Sequence, residues 1–407
     1  MLVIRLRIGL TNPFLEYIII GKRNKMGVAM DKIYLDHAAT TPLDKKVLEL
    51  MTPYFSENYG NADSPHSLGR KAMNAVDNAR DKIATLINAK LQEVYFTSGG
   101  TESDNWAILG GMRAKAKEGK THLIISSIEH HAVLYAAKQL EKEGFEVTYL
   151  PVNEGGMVEL NALKDAMTER TGMVAIMTAN NEVGSVQPVQ ELAKIAKDGG
   201  ALFFTDAVQA APYIRLDVKE LGVDMLAFSS HKFYGPKGCG ILYIKEGIKA
   251  ENILFGGEQE RGRRGGTTNV PAVVGMAAAY EKNLSEREEA NCKIKELRDT
   301  FLKEISALDG VKINGAEGLP ALLNLQVEGV ENTALLYKMD LKGVCFAAGS
   351  ACASASVKPS HVLTAMGLSE EEAKNSVRLS FGKDNTKEEV KKAAKIFVET
   401  VEELRKF

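Results

Sequence analysis

The chain has 407 residues, of which 45% are hydrophobic and 26% charged, a composition that fits a soluble globular protein of two or three domains at roughly 150 residues each. Lys and Arg number 51 against 53 Asp and Glu, so no excess charge favours nucleic acid or a membrane surface, and small molecules or specific proteins are the expected partners. The four cysteines, Cys239, Cys292, Cys345 and Cys352, show no C-x-x-C spacing; with ample core available they do not read as a disulfide framework or a zinc site, and a reducing, cytoplasmic setting is expected.

Residues 1–30 stand apart, with scattered basic residues and two short apolar runs broken by Thr11, Asn12 and Pro13. A bilayer span needs roughly 20 mostly apolar residues, and no small-residue cleavage site follows either run. The segment reads as a poorly ordered extension, or as a translation start placed too early, with Met26 or Met30 as the true one.

From Asp31 onward, short apolar runs alternate with amphipathic stretches. Strands are expected at 93–100 (EVYFTSGG), 122–127 (HLIISS), 174–179 (VAIMTA), 201–207 (ALFFTDA) and 225–230 (MLAFSS). The segments between them carry apolar residues at helical spacing. This alternation predicts an α/β fold, a mainly parallel sheet covered by helices on both faces, with ligands at the carboxyl ends of the strands. The turn-rich GPKGCGILYIKEG (235–247) predicts an antiparallel addition. After about residue 275 a long charged helical run leads into shorter α+β segments, which suggests a second, smaller domain.

The chemistry gathers at strand ends. In FSSHKFYGPKG (228–238), Ser229, His231 and Lys232 follow a strand and precede a turn. A buried lysine with a lowered pKa forms a Schiff base with an aldehyde cofactor; a solvated loop lysine is the plain alternative. Pyridoxal phosphate also needs an acid beside its ring nitrogen, and Asp206 in FFTDAVQA, with Gln209 close by, could supply it, unless Asp206 only caps a helix. TSGGTESDNWAI (97–108) passes from strand through Gly99 and Gly100 into Thr101 and a helix, which suits a phosphate as well as it suits a tight turn with a Thr cap. Beyond two further strand ends lie His130 and His131, an imidazole able to stack and shuttle protons or a half-exposed helix start, and Asn180 and Asn181, amides for a ligand or an Asx turn. Five such strand ends together specify a pyridoxal phosphate site.

The sequence resembles the cysteine desulfurases of the class V aminotransferase superfamily, the nitrogenase-associated and housekeeping iron–sulfur type (NifS/IscS). The resemblance runs from YLDHAATTPLD (34–44) almost to the C-terminus, through GNADSPHSLGR, FTSGGTESDN, EHHAV, NNEVGSVQP, DAVQ, SSHKFYGPKG, RGGTTN and GSACASASVKPSHVL. It departs from the pattern at Ala62, where proline is expected, and in residues 1–30. It implies the fold type I of pyridoxal phosphate enzymes: a large domain with a mainly parallel seven-stranded sheet between helices (42–287), and a small α+β domain from both chain ends (31–41 with 288–407) that carries the catalytic cysteine loop.

By that resemblance Lys232 is the Schiff-base lysine, Asp206 pairs with the ring nitrogen, Gln209 and Asn181 bond the ring oxygen, and His130 stacks on the ring. Gly100, Thr101, Ser229 and His231 hold the phosphate, joined by Thr267 reaching across from a second subunit of a homodimer. Arg378 grips the substrate carboxylate, with Asn61 and Asn181 also at the substrate. The implied reaction takes sulfur from L-cysteine: Lys232 moves the Cα proton, and the Cys352 thiolate attacks the sulfur to give a Cys352 persulfide and L-alanine, with His130 or the substrate deprotonating the thiol. The persulfide would pass to an iron–sulfur scaffold or a sulfur-relay protein. No intrinsic metal is expected, with Cys352 open to transient ligation of a nascent cluster in a scaffold complex. Alternatives are a selenocysteine lyase, another class V enzyme such as an aminotransferase, or a non-catalytic scaffold. The small residues of AAGSACASAS (347–356) suit a travelling thiol, or simply a packing segment holding Cys352. Cys345, in a more apolar setting, reads as structural.

Overall fold

The computed structural model describes residues 32–349 and 359–406. The N-terminal extension and Cys352 with its neighbours therefore lie outside the described residues. Twelve strands are formed among those described: β1 Ile33–Tyr34, β2 Val94–Thr97, β3 His122–Ser126, β4 Glu146–Leu150, β5 Thr171–Ala175, β6 Leu202–Asp206, β7 Met225–Ser229, β8 Gly240–Ile244, β9 Val311–Ile313, β10 Leu322–Val327, β11 Val344–Cys345 and β12 Ser376–Ser380.

Seven of them form the main sheet, in the order β2-β8-β7-β6-β5-β3-β4. β8 runs antiparallel to both neighbours and the remaining pairs of this sheet are parallel, as the alternating pattern and the 235–247 segment predict. β3, β5, β6, β7 and β8 are buried along their whole length, the continuous apolar habit of strands covered on both faces. Successive residues serve opposite faces: Ile124 and Phe203 join one core, while Ile125 and Phe204 join the other with Trp106 and Leu242. β5 is assigned four residues short of the expected end at 179, yet Ile176 and Thr178 still donate to Phe204 and Asp206 carbonyls at 3.1 and 2.8 Å, so the ladder continues. β4 completes the edge.

A three-stranded antiparallel sheet, β12-β10-β9, and the parallel pair β1-β11 come from both ends of the chain. The 35-residue helix Val270–Glu304 connects this region to the main sheet and is unbroken at the expected 287/288 boundary. Its buried residues fall in two groups, Val270 to Tyr280 and Ile294 to Phe301. The charged stretch between is the solvated middle of one rod about 52 Å long. No helix among the described residues is long and apolar enough to cross a membrane.

The loop containing RGGTTN is anchored from below. Arg80 and Glu260 make two contacts, 2.6 and 2.8 Å, with both side chains buried; Phe96 N–H donates to the same carboxylate at 3.0 Å and Arg80 also bonds the Val94 carbonyl. Glu260 and Arg261 hold positive φ of 47° and 59°, a conformation that costs free energy in non-glycine residues and persists where surroundings enforce it.

Candidate active site

Lys232 ends a short 3-10 turn directly after β7. Its Nζ donates to the carbonyls of Ala38 and Ala39 at 2.6 and 3.0 Å. The AATT turn that supplies them clasps the lysine turn throughout: Thr41 donates its N–H and its hydroxyl to the His231 carbonyl, both at 2.9 Å, and accepts from Tyr234 N–H, while Thr40 Oγ1 lies 3.1 Å from His231 Nδ1. Gln209 Nε2 donates to the same Ala38 carbonyl at 2.7 Å. Lys232 and Gln209, 23 positions apart in the chain, therefore meet at one oxygen.

Asp206, at the end of β6, is buried; its Oδ1 accepts from Val208 N–H at 2.8 Å. Burial raises its carboxyl above the usual range, and the Lys232 charge opposes that rise. His130 caps the helix His131–Lys142, its Nδ1 accepting from Ala132 N–H at 3.2 Å, which leaves the neutral ring's proton on Nε2. Burial first, then the Lys232 charge, lower its pKa to about 4, so at neutral pH the ring is uncharged. Atoms of Asp104, His130 and Asp206 lie within 4.8 Å of one another.

The glycine turn after β2 has the shape of an anion cradle. Gly99 takes φ 151° and ψ −179°, a region essentially closed to other residues. A Cβ on Gly100 would stand 2.9 Å from Val208 Cγ2, and one on Gly240 would stand 2.8 Å from the Gly99 backbone. Ser229, buried, places its Oγ 3.8 Å from where a Gly99 Cβ would be. A Thr cap, the plain alternative for this segment, is not what closes the turn. Glu102 reaches back instead, accepting from Ser98 N–H and Oγ–H at 2.9 and 2.6 Å, and Arg264 holds that carboxylate at 2.8 Å. Thr101 is exposed at the helix start. His231 is also uncharged at neutral pH, lowered to about 4 by burial and by Lys232 and Lys237.

Arg378, on β12, is 1% exposed; it donates to the Asn181 carbonyl at 2.9 Å and to Asp36 Oδ1 at 2.7 Å, while its Nε has no partner among the described residues. Its backbone pairs with Ala347 in both directions, which ties the carboxylate-binding candidate to the strand leading toward Cys352. Asn180 is spent on structure: its Oδ1 accepts from Glu182 and Val183 N–H, an Asx turn, and its Nδ2 bonds the Ile128 carbonyl. Asn61 lies in an exposed turn with Oδ1 taken by Asp63 N–H, and no described contact brings it to Lys232. Thr267 is exposed. Cys345 Sγ lies 3.5 Å from Asp340 Oδ1 and burial raises its thiol pKa, as a structural cysteine would have it.

Residues 33–393 match the family Aminotransferase class-V. The chain belongs to that family. Its relatives place it among the cysteine desulfurases. It is 46% identical over 375 residues to the cysteine desulfurase IscS of Methanosarcina thermophila, covering 92% of this chain and 93% of that one. It is 47% identical over 379 residues to the putative cysteine desulfurase IscS 1 of Bacillus subtilis, covering 92% and 100%. Among solved structures, a NifS-like protein superposes with TM-score 0.85 at 37% identity over 90% of this chain and 98% of its own. The NifS-like protein of Rickettsia africae gives 0.82 at 32% identity over 92% and 100%.

Two acids of the candidate site, Asp104 and Glu129, fall inside the motifs FTSGGTESDN and EHHAV, yet nothing local marks either one as part of the site. Asp104 and Glu129 are 1% exposed, and only the fold shows that the polar faces of their segments turn inward. The AATT turn carried a weak signal, a run of small residues before Pro42, whose meaning is the lysine it clasps, 194 positions from Ala38 and 193 from Ala39.

Proposed function

We propose that this chain is a pyridoxal-phosphate-dependent cysteine desulfurase that takes sulfur from L-cysteine, releases L-alanine and carries the sulfur as a persulfide on Cys352. The observation that carries the reading is Lys232, fixed by two carbonyls at the carboxyl edge of the sheet, with its charge acting on the buried acid Asp206. The residues present fit the cofactor: a glycine cradle that a Cβ would fill, a buried acid for the ring nitrogen, a neutral imidazole for its face and an amine for its aldehyde.

In this reading Lys232 holds the cofactor and, once released by substrate, accepts the Cα proton on Nζ and returns it. Asp206 faces the ring nitrogen and Gln209 and Asn181 the ring oxygen. His130 covers the ring; because its Nδ1 accepts Ala132 N–H and its Nε2 carries the proton, the substrate is the acceptor for the Cys352 thiol proton unless His130 gives up its bond to Ala132. Gly100, Thr101, Ser229 and His231 form the phosphate end. Arg378 and Asn181, with Asn61, receive the substrate. When bound, pyridoxal phosphate supplies the electron sink that makes the Cα proton removable.

The chain ends, 31–41 with 288–407, would form the small domain and 42–287 the large one. A homodimer brings Thr267 to the partner's phosphate. Support for this comes from its exposure, from Phe255, 82% exposed, and from the close Gly256–Gly265 approach that holds both on one anchored loop. L-cysteine, a cytoplasmic setting and an iron–sulfur scaffold or sulfur-relay acceptor complete the proposal. Lys232→Ala should lose the visible absorbance of bound cofactor, and an unchanged spectrum removes the lysine assignment. Cys352→Ser should keep that absorbance and stop alanine and sulfide formation; sustained sulfur release by this variant overturns the nucleophile assignment.

A further inference from the structure

Three buried carboxyl groups surround this site: Asp206 at the end of β6, Glu129 just past β3, and Asp104 in the helix Gly100–Asn105. They differ in their donors. Asp206 accepts Val208 N–H, and Glu129 Oε1 accepts Ser126 Oγ–H at 2.5 Å and Met177 N–H at 2.9 Å. Among the described residues Asp104 Oδ1 is buried with no hydrogen-bond partner, although Asp104 shares a 4.8 Å neighbourhood with Asp206 and His130.

Two ionised carboxylates this close in a dry site repel strongly, and one of them keeps its proton. The charged and titratable groups facing the cluster decide which. Lys232 favours ionised Asp206, His130 is neutral, and burial holds the Glu129 carboxyl up to about 8. Asp104 has burial against its charge, then the Asp206 carboxylate, with Glu129 adding to it only once that group ionises, and among the described residues no donor or cation in compensation. The proton therefore belongs on Asp104. An acid that is buried, neutral and otherwise unbonded has a hydrogen to donate.

We propose that Asp104 is a positioning residue for Asp206: carried as the neutral acid, it turns its proton toward the Asp206 carboxylate, keeping that group charged and aimed at the cofactor's ring nitrogen. The gap is closed by rotation of the Asp104 carboxyl or by one ordered water. This rests on the reading that Asp206 faces the ring. The consequence is that Asp104 sets how firmly the ring nitrogen keeps its proton, because a carboxylate that loses a donor becomes the stronger base and draws that proton to itself.

The test uses holoenzyme reconstituted with ring-15N-labelled pyridoxal phosphate, following the ring-nitrogen chemical shift with pH. Asp104→Val should move its titration to lower pH by about one unit, while Asp104→Asn, which keeps a neutral donor, stays near wild type. A valine variant that titrates as wild type, or an asparagine variant that moves as far as valine, overturns the proposal. Asp206→Asn separates the two readings: if it leaves the nitrogen signal unmoved, Asp206 does not face the ring, whereas if it moves the signal and Asp104→Val does not, only the Asp104 role fails. Should the valine variant not fold, infrared difference spectra of wild type against Asp104→Asn at neutral pH decide the matter. Loss of a protonated-carboxyl C=O band is expected, and loss of a carboxylate band instead overturns the assignment.

Discussion

Among the described residues two arginines are buried against carboxylates, Arg80 with Glu260 under the RGGTTN loop and Arg378 with Asp36 beside the second sheet, and only one of the pairs is finished. Arg80 and Glu260 are joined twice, both side chains are 6% exposed or less, and each has a further backbone partner. Arg378 meets Asp36 through a single nitrogen, its Nε is orphaned, and Asp36 is 20% exposed. A closed pair holds backbone in place. An open one keeps donor capacity for another carboxylate, the proposed role of Arg378. The two sites therefore answer to different measurements, stability for the first and substrate affinity for the second.

The largest expected effect is at the closed pair. Glu260→Met leaves Arg80 charged and buried without its partner, which should cost about 3–5 kcal/mol in chemical denaturation. Adding Arg80→Met removes the stranded charge and should recover most of that, short of the part owed to Phe96 N–H, whose acceptor is gone in both variants. A single variant as stable as wild type would make Arg80–Glu260 another open pair, and the contrast would dissolve.

Next comes Arg378→Lys. The ammonium cannot present a planar fork, and the loss of one charge-assisted hydrogen bond, about 1.5–3 kcal/mol, should raise KM for L-cysteine roughly tenfold or more with kcat little changed. Visible absorbance should confirm that cofactor is still bound. An unchanged KM would leave Arg378 a structural residue like Arg80.

The difference between such pairs is what the sequence could not display. Lys232, Asp206 and His130 were legible because each ends a fully buried, mostly apolar strand or the turn after it, a signal carried by neighbouring residues. β4 was missed: as an edge strand it is only half-buried, so Glu146–Leu150 lacks the continuous apolar run of its neighbours. The charged run after about residue 275 belongs to one helix, Val270–Glu304, whose solvated middle lies between the buried groups that end at Tyr280 and begin at Ile294. Asp104, Glu129 and the Ala38 carbonyl depend on contacts between segments about 25 to 195 positions apart in sequence, and no local pattern encodes those. Arg378 was found by motif, but that Asp36 already leans on it is a tertiary fact.

Asp36→Asn is the smallest and sharpest of the three changes. Asp36 is partly solvated, its contact is single, and an amide still offers the guanidinium an acceptor, so the substitution should cost about 1 kcal/mol of stability, well below the Glu260 change. Yet Asp36 engages the guanidinium that the substrate carboxylate would need, and Arg378 is otherwise covered, at 1% exposure. An amide in its place keeps an acceptor and surrenders the charge, so the incoming carboxylate displaces a weaker occupant. KM for L-cysteine should then fall by up to about fivefold, in proportion to the roughly 1 kcal/mol released, with thermal stability only slightly lowered. A rise in KM would mean that Asp36 backs the guanidinium and does not compete for it, and the open pair would be open on its Nε side alone.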